Sequence, residues 1–157
     1  MAVDELYFHR QRSLPRWERL GHPLDTLSVL LCFGWLFAVP PSAVSASVYV
    51  GLSLFSCLFV TKDEPLHLRL CSAGEHWVHA LMFMLHPLVL LSAALLWPAW
   101  HGLTLSFIGA GGGARAFLLG NALLTLGFGL FQLLYWNLLW PSRLTKRAKS
   151  TTTSTTP

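Results

Sequence analysis

Carboxylate and imidazole side chains are concentrated in one short stretch of this sequence, residues 61–87. The stretch holds four of the seven histidines and three of the seven Asp and Glu residues. Both types of side chain bind iron or zinc, through oxygen or nitrogen. We predict a metal site, for iron or zinc, formed by six residues: Asp63, Glu64, His67, Glu75, His76 and His79.

Helical spacing divides the polar residues into an outer and an inner group. At about 100° per residue, Glu75, His79 and His86 fall within an arc of about 60° on one helix face. Because an α-helix rises about 1.5 Å per residue, His86 lies roughly 10 Å from His79 along the axis, too far for both to bind one ion. His86 is therefore predicted to line a separate inner polar pocket.

A polar face on the last apolar segment, residues 116–140, supplies further candidates for that pocket. Asn121, Thr125, Gln132 and Tyr135 fall within about 80° of one another on a helix. We predict that Gln132 and Tyr135 join His86 in the inner pocket, where they would orient histidine ring nitrogens.

Simpler interpretations compete with the metal site. Ser72-x-x-Glu75 and Thr61-x-x-Glu64 both have the form of a helix capping box, in which the glutamate serves only its helix end. His86, which precedes Pro87, could bond a carbonyl that the proline leaves without a donor.

The composition indicates the environment of these residues. The chain of 157 residues is 54% hydrophobic and 11% charged, with a mean hydropathy of +0.53, whereas soluble domains are about 25% charged. A chain this short cannot hide so much apolar surface in its own core, so a soluble protein is excluded. The net charge of +4 fits anionic lipid headgroups, and no nucleic-acid partner is implied.

Four apolar segments with almost no charge have about the length of a helix that crosses a bilayer, roughly 17 to 25 residues, and the first is one residue shorter than that range. They span residues 24–39, 43–60, 75–97 and 116–140. We predict an all-α membrane protein with four transmembrane helices in an antiparallel bundle, residues 24–140.

The basic residues indicate the orientation of these helices, because Lys and Arg near the ends of spans stay in the cytoplasm. Ten of the eleven fall on one side of the predicted topology, and only Arg115 opposes them. We predict a cytoplasmic basic segment 1–23, and a cytoplasmic tail 141–157 that is basic and then Thr-rich and disordered. An alternative is that residues 24–39, followed by Ala43–Ala46, form a cleaved signal peptide.

These features favour a small bacterial inner-membrane protein with a metal site at its cytoplasmic rim. It would act as a metal-dependent enzyme on a lipid or quinone-like substrate. Two alternatives stay open: a non-catalytic subunit that docks a partner in a larger membrane complex, and an ion or proton conduit along the line of histidines. The sequence has no phosphate-binding loop, HExxH motif or G-x-S-x-G nucleophile elbow, which removes the best-known enzyme signatures.

Overall fold

The protein is built from four long helices. The computed structural model describes residues 4–8, 16–64, 71–103 and 112–139, and no strand occurs among them. The long helices are α1 (Arg16–Ala38), α2 (Ala43–Phe59), α3 (Ala73–Trp100) and α4 (Gly112–Leu134). Short turns accompany them: Asp4–Phe8 before α1, Val60–Asp63 after α2 and Tyr135–Leu139 after α4.

All four helices are long and apolar enough to cross a membrane. This confirms the predicted all-α class and the prediction of four helices of membrane-spanning length. Large hydrophobic side chains such as Leu54, Leu58 and Leu124 remain exposed on the outside of the bundle. In a bilayer they face lipid, which is as apolar as they are.

The first helix begins eight residues before the predicted boundary at residue 24. It runs through Pro23, which lacks an N–H and therefore leaves the carbonyl of Arg19 without its helical donor. The side chain of Asn137 makes a long hydrogen bond of 3.5 Å to that carbonyl. Because a neighbouring element supplies the donor, the proline does not end the helix.

Helix α2 begins where the sequence can cap it. Ser42, which follows Pro40 and Pro41, accepts a hydrogen bond from the Ser45 backbone, and the Ser45 side chain bonds the Ser42 backbone in return. This reciprocal capping box satisfies two backbone donors at the start of the helix.

Helix α3 extends beyond the predicted end at residue 97 and stops at Gly102. Gly102 has a φ of +79°, and its N–H bonds the carbonyl of Ala99 while the N–H of Leu103 bonds that of Pro98. These two bonds form a Schellman motif, which needs a left-handed residue after the helix, and glycine adopts that conformation without a steric penalty.

Helix α1 is the central element of the bundle. It contacts α2, α3 and α4, most extensively α4. Its membrane-spanning part is 39% buried, compared with 17% for each of the other three. The polar residues of α1 are therefore positioned to bond with residues of all three neighbours.

Candidate functional site

A cavity of about 450 Å³ lies between α1, α3 and α4. Half of the side chains in its wall are polar, and half are apolar, among them Val29, Met82 and Phe128. Four members of the polar half are ionisable: His22, Asp25, His79 and His86. The other four are uncharged: Thr26, Asn121, Thr125 and Gln132.

The cavity reaches the outer surface of the bundle. Leu85 of α3 and Leu124 of α4 both border it, yet they are 57% and 75% exposed. The cavity therefore opens to the surface of the bundle at these two side chains.

One residue of the cavity wall, Asp25, forms an ion pair with Lys62. The ammonium group of Lys62 donates to both carboxylate oxygens of Asp25, each at 2.7 Å. The two side chains are only 12% and 13% exposed, and the Lys62 ammonium also lies 4.8 Å from the centre of the Phe59 ring. The pair joins α1 to the turn after α2.

A second polar contact joins α1 to α4. The hydroxyl of Thr26 donates to the amide oxygen of Gln132 at 2.7 Å, and both residues are buried. The helices approach closely here because Gly129 has no side chain: a Cβ at that position would lie 2.9 Å from Thr26 Cγ2.

A chain of hydrogen bonds links the inner histidine to two other helices. Ser56 of α2 lies 3.0 Å from His86 Nε2 and 2.7 Å from the hydroxyl of Ser28 on α1. Ser28 in turn donates to the backbone carbonyl of Asp25 at 2.7 Å. His86 therefore bonds a serine and not a carbonyl released by Pro87, the simpler role that the sequence suggested.

The structure places two of the three residues predicted for the inner pocket in the cavity wall. His86 and Gln132 both border the cavity. Tyr135 lies beyond α4, at the start of a π-helical turn, where it stacks on Phe131 at 5.1 Å between ring centroids.

The structure describes the side chains of four of the six residues that were predicted as metal ligands. Glu75 and His79 are buried on α3, both 3% exposed, and His79 also borders the cavity. Glu64 and His76 are partly buried. His67 and the side chain of Asp63 lie outside the described residues.

Within the described ranges, no three or more His, Cys, Asp or Glu side chains form a group that could hold a metal ion. Of the two candidate capping boxes, one has its serine cap in place: the Ser72 hydroxyl accepts a hydrogen bond from the Glu75 backbone N–H at 3.3 Å. At the other, Thr61 donates back to the Leu58 carbonyl at 2.7 Å and so bonds the end of α2.

Sequence reasoning did not identify the roles of Lys62, Ser28 and Ser56. Lys62 was used only as a marker of orientation, although an aspartate within the first apolar segment signals a need for a cationic partner. The two serines carried a usable signal too, since hydroxyl groups inside spans often bond neighbouring helices. The spacing of residues along one helix does not show which other helices pack against it.

Comparison with known proteins gives no match to a protein-family model, to a curated protein or to a solved structure.

Proposed function

We propose that this membrane protein binds a small lipid-soluble molecule with a polar head, a lipid or a quinone-like compound, in the cavity between α1, α3 and α4. The observation that carries the proposal is the cavity itself, about 450 Å³ in volume. Binding sites for small molecules are typically about 300 to 1,000 Å³, mostly apolar, with a few polar groups that orient the ligand. This cavity has that size, and its wall combines apolar side chains with polar groups that can orient a ligand, although its polar share of one half is higher than is typical.

The placement of the polar groups also supports a binding role. Polar side chains inside a membrane are costly, and they are kept where they bond one another or serve function. Thr26 and Gln132 bond each other, and Asp25 bonds Lys62, so these groups are held in fixed positions around the cavity. Fixed polar groups can orient a ligand without a cost for ordering them.

The hydrogen-bond chain favours binding over proton conduction. From His86 it passes through Ser56 and Ser28 and ends at the backbone carbonyl of Asp25. A backbone carbonyl accepts a hydrogen bond but does not carry a proton onward. The chain therefore supports a role in positioning His86.

The proposal includes the finer topology. The helices would form an antiparallel bundle with both termini cytoplasmic, in a bacterial inner membrane, because ten of the eleven basic residues then lie on the cytoplasmic side. Turnover of the bound molecule with an iron or zinc ion, and docking of a larger partner, stay predictions. The metal site requires Asp63, Glu64 and His67 to join Glu75, His76 and His79.

Equilibrium binding of 4-octylphenol to the full chain in lipid nanodiscs tests the proposal. This probe combines an apolar tail with one polar head. We expect saturable binding of one molecule per chain, and loss of that binding in Thr125→Phe, whose ring would fill the cavity.

Leu123→Phe is the matched control. It adds the same ring on the same helix, at a side chain that is 60% exposed, and should bind the probe like the unaltered protein. Absence of saturable binding, or equal binding by Thr125→Phe and the unaltered protein, would refute the proposed function.

A further inference from the structure

The hydrogen-bond chain at His86 determines which ring nitrogen carries a proton. The Asp25 carbonyl oxygen can only accept, so Ser28 gives it its single hydroxyl proton across 2.7 Å. Ser56 must then donate its own proton to Ser28, also across 2.7 Å. With that proton used, Ser56 can only accept from His86 Nε2 at 3.0 Å.

The imidazole of His86 is therefore protonated on Nε2. In a neutral imidazole the other nitrogen, Nδ1, is then a hydrogen-bond acceptor. Among the described residues, the one hydrogen bond of the His86 side chain is that to Ser56, while the ring also borders the cavity. Nδ1 is thus the nitrogen that remains for a molecule in the cavity.

We propose that the ligand of this cavity is a hydroxyl-bearing amphiphile, a phenol or quinol head on an apolar tail, which donates a hydrogen bond to His86 Nδ1. This inference rests on the proposed function, and it specifies the chemistry of the ligand. A head that only accepts, such as an ether or a quinone carbonyl, would place a second acceptor against Nδ1 and leave both without a partner.

Two further features agree with this class of ligand. His86 lies near the middle of α3 (Ala73–Trp100), so the polar head would sit deep in the bilayer, where a charged headgroup is costly and a neutral hydroxyl is not. Phe83 and Phe128 border the same cavity, and aromatic side chains pack well against an aromatic head.

A redox-inert pair of probes tests the inference: 4-octylphenol and its methyl ether, 4-octylanisole. The two share the ring, the tail and an acceptor oxygen, but only the phenol donates. One neutral hydrogen bond corresponds to roughly fivefold in affinity. We therefore expect the full chain in nanodiscs to bind the phenol about fivefold more tightly than the ether.

His86→Phe should remove this preference, because it keeps a ring in the cavity wall but has no nitrogen. Leu88→Phe, at a 53% exposed position on the same helix, should keep it. The hydrogen bond between Ser56 and Ser28 does not depend on His86, because the Ser56 hydroxyl already donates its proton to Ser28.

Ser56→Ala tests the positioning role separately. Without Ser56, Nε2 loses its acceptor and the proton can move to Nδ1, so affinity for the ether should rise and the ratio between the probes should fall. The ¹⁵N NMR signals of His86 should show Nε2–H alone in the unaltered protein and both forms in Ser56→Ala. Ser47→Ala, whose exposed hydroxyl donates to the Ala43 carbonyl on the same helix, should change neither.

The outcomes separate this inference from the proposed function. If neither probe binds, both are wrong. If both probes bind with equal affinity, and neither binds to Thr125→Phe, the cavity binds small molecules but the requirement for a donor is wrong. An Nδ1–H signal in the unaltered protein would likewise overturn the inference.

Discussion

The two ends of the bundle use polar side chains in different ways. At one end, where α1 and α3 both finish, Trp100 and His101 bond the carbonyls of Phe37 and Leu36 at 3.3 and 3.0 Å. The last four carbonyls of a helix have no partner within it, so the end of α3 satisfies the end of α1. Trp97 adds a bond of 2.9 Å to the Val39 carbonyl.

At the other end, side chains bond one another around an open space. Asp25 pairs with Lys62, and Thr26 pairs with Gln132, and all but Lys62 border the cavity. The difference between the two ends shows that the presence of polar side chains alone does not identify a binding site in a membrane protein. The first end uses its polar groups to complete the backbone, whereas the second positions them around a volume that a ligand can fill.

The packed end should carry the larger share of stability. Trp97 is 3% exposed within a core that includes Leu36 and Tyr49. Trp97→Ala removes this packing and the bond to Val39, so we expect a loss of about 4 kcal/mol in the free energy of unfolding. Thermal unfolding in detergent measures it. Trp77→Ala, at a 71% exposed position on the same helix, should change little, and equal losses in both variants would contradict the assignment.

At the cavity end, the effects of substituting the two residues of the ion pair on the free energy of unfolding should depend on each other. Asp25→Asn or Lys62→Met alone breaks this partly buried ion pair, and each should cost about 3 kcal/mol in the free energy of unfolding. The double variant should cost less than the sum of the two single losses, because the attraction between the two residues can be lost only once. Unfolding in a double-mutant cycle measures this. Additive losses would show that the two residues do not act as a pair.

The close approach of α1 and α4 beside the cavity depends on Gly129. Gly129→Ala would place a Cβ 2.9 Å from Thr26 Cγ2, and Thr26 cannot turn aside without losing its bond to Gln132, so we expect a loss of about 2 kcal/mol. Gly127→Ala has no atom within 4 Å of the added Cβ and serves as the control. Unfolding midpoints of the two variants should differ, and identical midpoints would refute the close approach.

The smallest loss of stability should come from removing one hydroxyl group, that of Tyr49, between the two ends of the bundle. Tyr49 donates to the Leu90 carbonyl at 2.8 Å, a carbonyl that also serves its own helix. Hydrogen bonds between membrane helices contribute about 0.6 kcal/mol on average, and Tyr49→Phe should cost about that much in the free energy of unfolding. Tyr7→Phe, at a 58% exposed position, should be neutral. A loss as large as that of Trp97→Ala would mean that this bond organises the packed end.

Much of the architecture could be predicted from local chemistry. Apolar segments of bilayer length predict four helices, and Ser42 and Ser72 mark where two of them begin. Two of the boundaries that differed lie at Pro23 and Pro98, where the helix continues through a proline, and a third lies at Gly112, where α4 begins four residues before the predicted residue 116. At Pro23 the donor for the released carbonyl comes from Asn137, a residue distant in the sequence.

The site was less predictable, because spacing reports faces of single helices and the cavity arises between three of them. His79 was grouped with an outer rim and His86 with an inner pocket, yet both border one cavity. Tyr135 was placed by extrapolating an α-helix that changes to a π turn at that residue. The contacts of Thr26, Ser28 and Ser56 depend on which helices are neighbours, which no periodicity encodes.

Photo-crosslinking tests the central claim most directly, that the space between α1, α3 and α4 holds a lipid-soluble molecule. A 4-alkylphenol with a diazirine in its tail would be activated on the full chain in nanodiscs, and the labelled residues would be identified by peptide mass spectrometry. We predict labels on Val29, Met82 and Phe128, which border the cavity, and competition by unlabelled 4-octylphenol. Labels confined to exposed residues such as Leu54 and Leu58 of α2, without competition, would contradict the account.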